Sequence, residues 1–362
     1  MMSIPVLQPS DHVCVMWEGK KYLFFGGYDY HRLSGNPDIL RATQDALFRY
    51  GLNCGGSRIT TGNHPLHIRL EARISGFLGT NSTALLPAGY MANLALFELL
   101  GTKDVICYYH PQSHPSLKAA VKISGLPAFE IPDSREQFDA LIRKGAKKPL
   151  IVTDGVYDHL PPLPEYHALA EKHEGVLLID EAHALGILGK HGRGAFEHFD
   201  LDTGRLLLTG SLSKACGTSG GFVAGPSQCI EKLRSTCTYA TTSAPSLPMT
   251  AAGIASFDFL SGHSRLIRDF QKRCLKIKQR VRDMGYNIPV IPTPVISICF
   301  QHKKDAAVLR DELVKAGIYP PLISYPGKSD YFRFALSSAH ADKDIERLLD
   351  VLEKCHSIRE QY

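Results

Sequence analysis

Between residues 84 and 224, short uninterrupted apolar runs alternate with segments whose apolar positions return every three to four residues. The runs at 84–86, 104–108, 149–153, 175–180, 205–209 and 221–224 read as strands, and 92–100, 116–124, 135–144 and 166–173 read as helices. A strand without polar alternation is buried on both faces, so the pattern predicts an α/β unit whose mainly parallel sheet is covered by helices. Ligands of such sheets gather at the carboxyl ends of the strands. After about residue 250 the pattern changes to a long polar helix at 266–284, strands at 295–300 and 331–335, and helices at 305–316 and 342–355. This reads as a smaller α+β domain, against which an N-terminal arm with a strand at 22–25 is expected to pack. The expected boundaries are 1–36 for the arm, 37–250 for the large domain and 251–362 for the small one.

A chain of 362 residues with 44% hydrophobic composition can bury the cores this organisation needs. The net charge of +5 comes from 41 basic and 36 acidic residues in scattered small groups, with no basic stripe for nucleic acid or an anionic membrane. The nine cysteines stand singly without a C-x-x-C pair, which points to reduced thiols and a cytoplasmic protein. Asp11, Glu18 and the prolines near the N-terminus do not suit a signal peptide, and no apolar run nears the roughly 20 residues of a membrane span.

Three local patterns carry chemistry. In Thr209-Gly210-Ser211-Leu212-Ser213-Lys214, a strand runs into a lysine set among small residues that let a bulky anion approach. Lys214 can form an imine with an aldehyde, and Ser211 and Ser213 can hydrogen-bond a phosphate. An exposed loop lysine is the bland alternative for this short motif alone. In Leu177-Leu178-Ile179-Asp180-Glu181-Ala182-His183, an apolar strand ends in an acid. A buried carboxylate raises the pKa of a pyridine nitrogen beside it, which is what pyridoxal 5′-phosphate (PLP) needs to act as an electron sink; His183 can reach that cofactor's phenolic oxygen. Taken alone, Asp180 could equally cap a helix. In Pro87-Ala88-Gly89-Tyr90-Met91-Ala92-Asn93, a glycine turn opens a helix, whose N-terminal N–H groups suit a phosphate. Each signal is weak by itself, and their order along the chain makes them strong together.

From about Tyr22 to Leu352 the chain resembles the α-oxoamine synthase family of fold type I PLP enzymes. The likeness rests on Gly55-Gly56-Ser57-Arg58 with Gly62 and His67, on Gly89 to Asn93, and on Ser113-His114-Pro115-Ser116. It continues through Asp180 to His183 with Gly186, Gly189, Gly192-Arg193-Gly194, through Ser211 to Lys214, and ends at Leu336-Ser337-Ser338-Ala339-His340. The resemblance implies an aspartate-aminotransferase-like large domain with a mainly parallel seven-stranded sheet. It also implies that His114 stacks on the PLP ring and assists proton transfer, that the backbone of Gly89 and Tyr90 holds the phosphate, and that Arg333 grips the amino-acid carboxylate. A metal site built on His110 and His114 lacks a third ligand at a sensible spacing. Thr241 and Thr242 match a hydroxyl segment that reaches the neighbouring subunit's cofactor phosphate, which implies a homodimer with shared sites; a plain hydroxyl-rich loop is the alternative.

The substrate side departs from the family. Tyr28-Asp29-Tyr30-His31-Arg32-Leu33 stands where an Asn-x-Tyr-Leu-Gly-Leu is usual, so Tyr28 replaces a carboxylate-binding asparagine. The loop Asp154-Gly155-Val156-Tyr157-Asp158 is shortened and puts Asp158 near the place of a cofactor-contacting serine. No basic cluster for a CoA phosphate stands out beyond single lysines such as Lys20, Lys21 and Lys118. The implied activity is decarboxylating condensation of an α-amino acid with an acyl thioester, of CoA or a carrier protein, to an α-amino ketone. The departures keep transamination, racemisation or aldol cleavage as alternatives. A binding protein without catalysis is disfavoured by the presence of Lys214, Asp180, His114 and Arg333 together.

Overall fold

The computed structural model describes residues 4–101, 104–145, 147–300, 302–324 and 330–360. They form two units, one from Met1–Arg32 with Arg268–Tyr362 and one from Leu33–Ile267. In the first unit, β1 (Gln8–Pro9), β2 (Cys14–Trp17) and β3 (Lys20–Leu23) pair as an antiparallel sheet.

The second unit opens with α1 (Pro37–Tyr50), started by Asn36 Oδ1, which accepts from the N–H groups of Asp38 and Ile39. Then come α2 (Pro65–Leu78), β4 (Ser82–Leu86), α3 (Gly89–Leu100), β5 (Val105–Tyr109), α4 (Pro115–Ser124), β6 (Ala128–Glu130) and α5 (Arg135–Gly145). They are followed by β7 (Lys148–Asp154), α6 (Leu163–Lys172), β8 (Val176–Asp180), α7 (Ala195–His198), β9 (Leu206–Ser211) and β10 (Gly221–Gly225). The unit closes with α8 (Ser227–Leu233), α9 (Cys237–Thr241) and α10 (Leu247–Gly262).

The seven strands lie in the order β4-β10-β9-β8-β7-β5-β6. Only β10 runs against its neighbours, and the other pairs are parallel. Leu86, Leu150, Val152, Leu178 and Val223 bury one face with Ala92, Leu96, Leu117 and Ala120 of the helices. Ile151, Leu177 and Ile179, at neighbouring positions of the same strands, are equally buried, so both faces are covered. This is the fold expected of the large domain.

The division between units falls at 32/33 and 267/268, not at 36/37 and 250/251. Helix α10 is the reason: it packs on α1 and α2 and buries Leu247, Ala251, Ile254, Phe257 and Leu260, which places it with the sheet.

The first unit resumes with α11 (Ser264–Asp283), β11 (Val295–Cys299), α12 (Lys303–Lys315), β12 (Leu322–Ile323), β13 (Tyr331–Ala335) and α13 (Asp342–Glu360). Its second sheet has the order β11-β13-β12, all antiparallel. The N-terminal arm is tied to these elements: Leu23 N–H donates to Gly317 O at 2.8 Å, and the His340 ring stacks on Phe25 at 4.2 Å while bonding Phe24 O. Burial pushes His340 down to about 4, so its neutral ring serves as a clamp within this unit.

Candidate active site

In the larger unit, the carboxyl ends of β4, β5, β7, β8 and β9 and the start of β10 lie along one edge of the sheet. A cavity of about 270 Å³ opens there, lined by Gly89, Tyr90, His114, Asp154, Asp180, His183, Ser211, Ser213 and Lys214 among others. Of the predicted site residues, the strand-end acid, the motif lysine, the glycine turn and both histidines therefore meet in one place.

Lys214 sits on a closed loop between β9 and β10. Gly217 N–H returns to Lys214 O at 2.9 Å, Thr218 N–H to Leu212 O at 3.1 Å and Leu212 N–H to Gly220 O at 3.0 Å, while Ala215 and Cys216 are buried beneath it. Gly217 has φ +62, and a Cβ there would lie 2.3 Å from Ser34 N, so the loop needs glycine at that position. Ser211 and Ser213 share a hydroxyl contact of 2.7 Å.

Asp180 ends β8 and pairs in register with Asp154 at the end of β7. Its Oδ2 accepts from Asn93 Nδ2 at 2.9 Å and its Oδ1 from Ala182 N–H at 2.9 Å. Asp154 Oδ2 accepts from His114 N–H at 3.0 Å, and its own N–H donates to Tyr157 Oη at 2.9 Å. Burial, and then the adjacent Asp180 carboxylate, push the Asp154 carboxyl up to about 8. His114 caps α4, its Nδ1 accepting from Ser116 N–H at 3.2 Å.

The glycine turn is packed against β10. A Cβ on Gly221 would lie 2.4 Å from the backbone of Ala88 and Gly89, and one on Gly89 would lie 3.0 Å from Ser211 Cβ. Helix α3 begins at Gly89 without a side-chain cap. Ala88 offers no side-chain acceptor to the helix's first N–H groups, which begin at the cavity wall.

Other residues stand elsewhere. Thr241 and Thr242 do not line the cavity, and their hydroxyls donate to Cys237 O at 2.8 Å and Thr238 O at 2.5 Å. Asp158 is exposed in the loop after β7 and is likewise outside the lining, whereas Asp154, four residues earlier, is in it. In the other unit, the Arg333 guanidinium lies over the Tyr28 ring, 5.0 Å from its centroid. Glu181, next to the strand-end acid, faces away from any ligand role: fully buried, it accepts from Ala195 N–H at 2.8 Å and Phe196 N–H at 3.0 Å and so starts α7.

Sequence reasoning assigned no role to Asp154, Asn93 or Ser116. Asp154 carries the same signal as Asp180, an acid closing an apolar run. The residues present fit PLP: a lysine for its aldehyde, a fixed carboxylate for its ring nitrogen, a histidine at the wall, and a glycine turn packed too closely on β9 and β10 to admit a Cβ.

Comparison with known proteins agrees. The family model for aminotransferase class I and II matches residues 20–352. An 8-amino-7-oxononanoate synthase of Methylobacillus flagellatus is 32% identical over 366 residues, covering 96% of this chain and 90% of that protein. A serine palmitoyltransferase of Sphingobacterium spiritivorum is 28% identical, covering 96% and 91%. The structure of a Sphingomonas wittichii serine palmitoyltransferase superposes with a TM-score of 0.87 at 28% identity, over 96% of this chain and 90% of that one. On its fold, its cavity and these matches, the chain belongs to the aminotransferase class I and II family and, within it, to the PLP-dependent α-oxoamine synthases.

Proposed function

We propose that this protein is an acyltransferase that condenses an α-amino acid with an acyl thioester, releasing carbon dioxide and forming an α-amino ketone. The observation that carries the reading is the convergence of Lys214, Asp180, His114 and the Gly89 turn on one cavity, in a chain matched almost end to end by relatives named for such synthases. When bound, PLP supplies an electron sink for negative charge at the substrate α-carbon.

The protein's own groups supply the rest. Lys214 Nζ holds the cofactor's aldehyde carbon and is the base for the substrate α-proton. Asp180, with an N–H donor on each oxygen, holds the proton of the ring nitrogen. His114, at the cavity wall, would face the ring and can pass a proton at its imidazole. His183 donates to the phenolic oxygen, and Ser211, Ser213 and the N–H groups of Gly89 and Tyr90 hold the phosphate. Arg333 takes the amino-acid carboxylate with two parallel hydrogen bonds, its guanidinium oriented by Tyr28. Asp158 serves the substrate side of the same reading. Thr241 and Thr242 serve the cofactor phosphate of a second copy, so the active form is a homodimer with shared sites. The thioester comes from CoA or a carrier protein, and the enzyme works in the cytoplasm; among the described residues no helix is long and apolar enough to cross a membrane.

Release of carbon dioxide from carboxyl-labelled amino acids, with and without acyl thioester, tests the reading. Release that requires both substrates supports it. Conversion of amino acid to 2-oxo acid without thioester would instead establish transamination, the reading favoured by Tyr28 in place of asparagine.

A further inference from the structure

Ser116 at the cavity wall and Asn93 behind it bridge two of the cavity's functional groups. Asn93, on α3, is 1% exposed, and Ser116, in the first turn of α4, is 2% exposed. The two helices pack on each other. Asn93 Nδ2 lies 2.9 Å from Asp180 Oδ2 and 3.0 Å from Ser116 Oγ, so each of its two N–H groups has an acceptor. Ser116 Oγ lies 2.8 Å from His114 Nδ1, and the Ser116 backbone N–H points at the same nitrogen from 3.2 Å.

The direction of every bond in this chain follows from chemistry. The Ser116 hydroxyl, at 2.8 Å, is the closer partner of Nδ1, and the backbone N–H at 3.2 Å, which can only donate, adds a weaker preference for an unprotonated Nδ1. Ser116 Oγ receives the Asn93 N–H and therefore turns its own hydrogen toward Nδ1. The Asn93 amide cannot be flipped, because its Oδ1 would then face the Asp180 carboxylate. We infer that Asn93 and Ser116 form a fixed relay from Asp180 to His114 that sets the neutral His114 imidazole in its Nε2–H tautomer. The inference rests on reading the cavity as the cofactor site, and makes both residues positioning groups: the carboxylate that serves the ring nitrogen and the histidine that serves the ring face are held by one hydrogen-bonded unit. The proton His114 has to offer is then always on Nε2.

The test uses full-length protein labelled with nitrogen-15 histidine, free of cofactor and then loaded with PLP, with His114→Gln to assign the signal. Long-range proton–nitrogen spectra at neutral pH distinguish a protonated from an unprotonated ring nitrogen. The expected result is Nε2–H with unprotonated Nδ1 in the wild type, a measurable Nδ1–H population in Asn93→Ala and Ser116→Ala, and return to the wild-type pattern in Ser116→Thr. Asn93→Ala, which takes an N–H from the Asp180 carboxylate, is also expected to weaken PLP binding by about tenfold or more. Ser116→Ala, a loss of one oxygen atom, keeps the test open should Asn93→Ala not fold. An Nδ1–H signal in the wild type, or a tautomer unmoved by Ser116→Ala, overturns the relay. Because the tautomer is read without substrate, failure of the condensation reading leaves this measurement standing.

Discussion

Asp154 offers a direct quantitative test of how the site is built. Its carboxyl is buried beside Asp180 and pushed from the usual 3.8 up to about 8. At pH 6 the folded protein therefore keeps Asp154 mostly protonated, whereas the unfolded chain, at the usual carboxylate value, has it mostly ionised. Unfolding at that pH releases about one proton from this residue. The neutral form favours the folded state, so its contribution is whole below about pH 4 and is lost, at about 1.4 kcal/mol per pH unit, as pH rises toward 8. In Asp154→Asn the group cannot titrate, and the release on unfolding falls by about one proton. Proton release on mixing the cofactor-free protein with urea, followed by a pH indicator at pH 6 in weak buffer, measures this without assuming a two-state transition. The groups common to both proteins cancel in the difference. Equal release from wild type and Asp154→Asn would refute the argument, because Asp154 would then be ionised in the fold.

Three further outcomes follow from the geometry. Glu181→Ala leaves the buried N–H groups of Ala195 and Phe196 without acceptors and should cost about 2–5 kcal/mol, seen as a lower thermal midpoint, while Glu181→Gln keeps an acceptor for one of them but sets its NH2 against the other and should recover only part of the loss. Gly221→Ala puts a Cβ where the Ala88–Gly89 backbone now lies, and is expected to weaken PLP binding at least about tenfold in a spectral titration while leaving far-ultraviolet circular dichroism unchanged. Tyr28→Ala removes the ring that covers Arg333, an interaction worth roughly 0.5–2 kcal/mol, and should weaken amino-acid binding several-fold; Tyr28→Phe keeps the ring and should lose less than Tyr28→Ala.

Most of the large sheet was legible because its strands are uninterrupted apolar runs, a direct consequence of burial on both faces. The three-residue strand β6 is too short to leave such a signature. Helix α10 was not recognised because it is apolar on every side, so no stripe marks its period; the same property draws it into the large unit and moves the boundary. Helix α1 leaves Leu40 and Phe48 exposed, which blurs its polar face. In the site, Lys214, Asp180 and Gly89 were legible since each belongs to a local strand–turn pattern. The relay was not, since it joins Asn93 to residues 23 and 87 positions away, and only the fold brings them together. Asp158 drew notice over Asp154 because it stands at a departure from the family pattern, whereas burial at the strand end is what brings a carboxylate into the cavity.

The central claim is that PLP is held in this cavity by Lys214. Borohydride reduction of the PLP-loaded protein, followed by peptide mass mapping, tests it most directly. The account predicts a stable pyridoxyl group on Lys214 and none in Lys214→Ala. A label on another lysine, or no label in a folded wild-type protein, would contradict it.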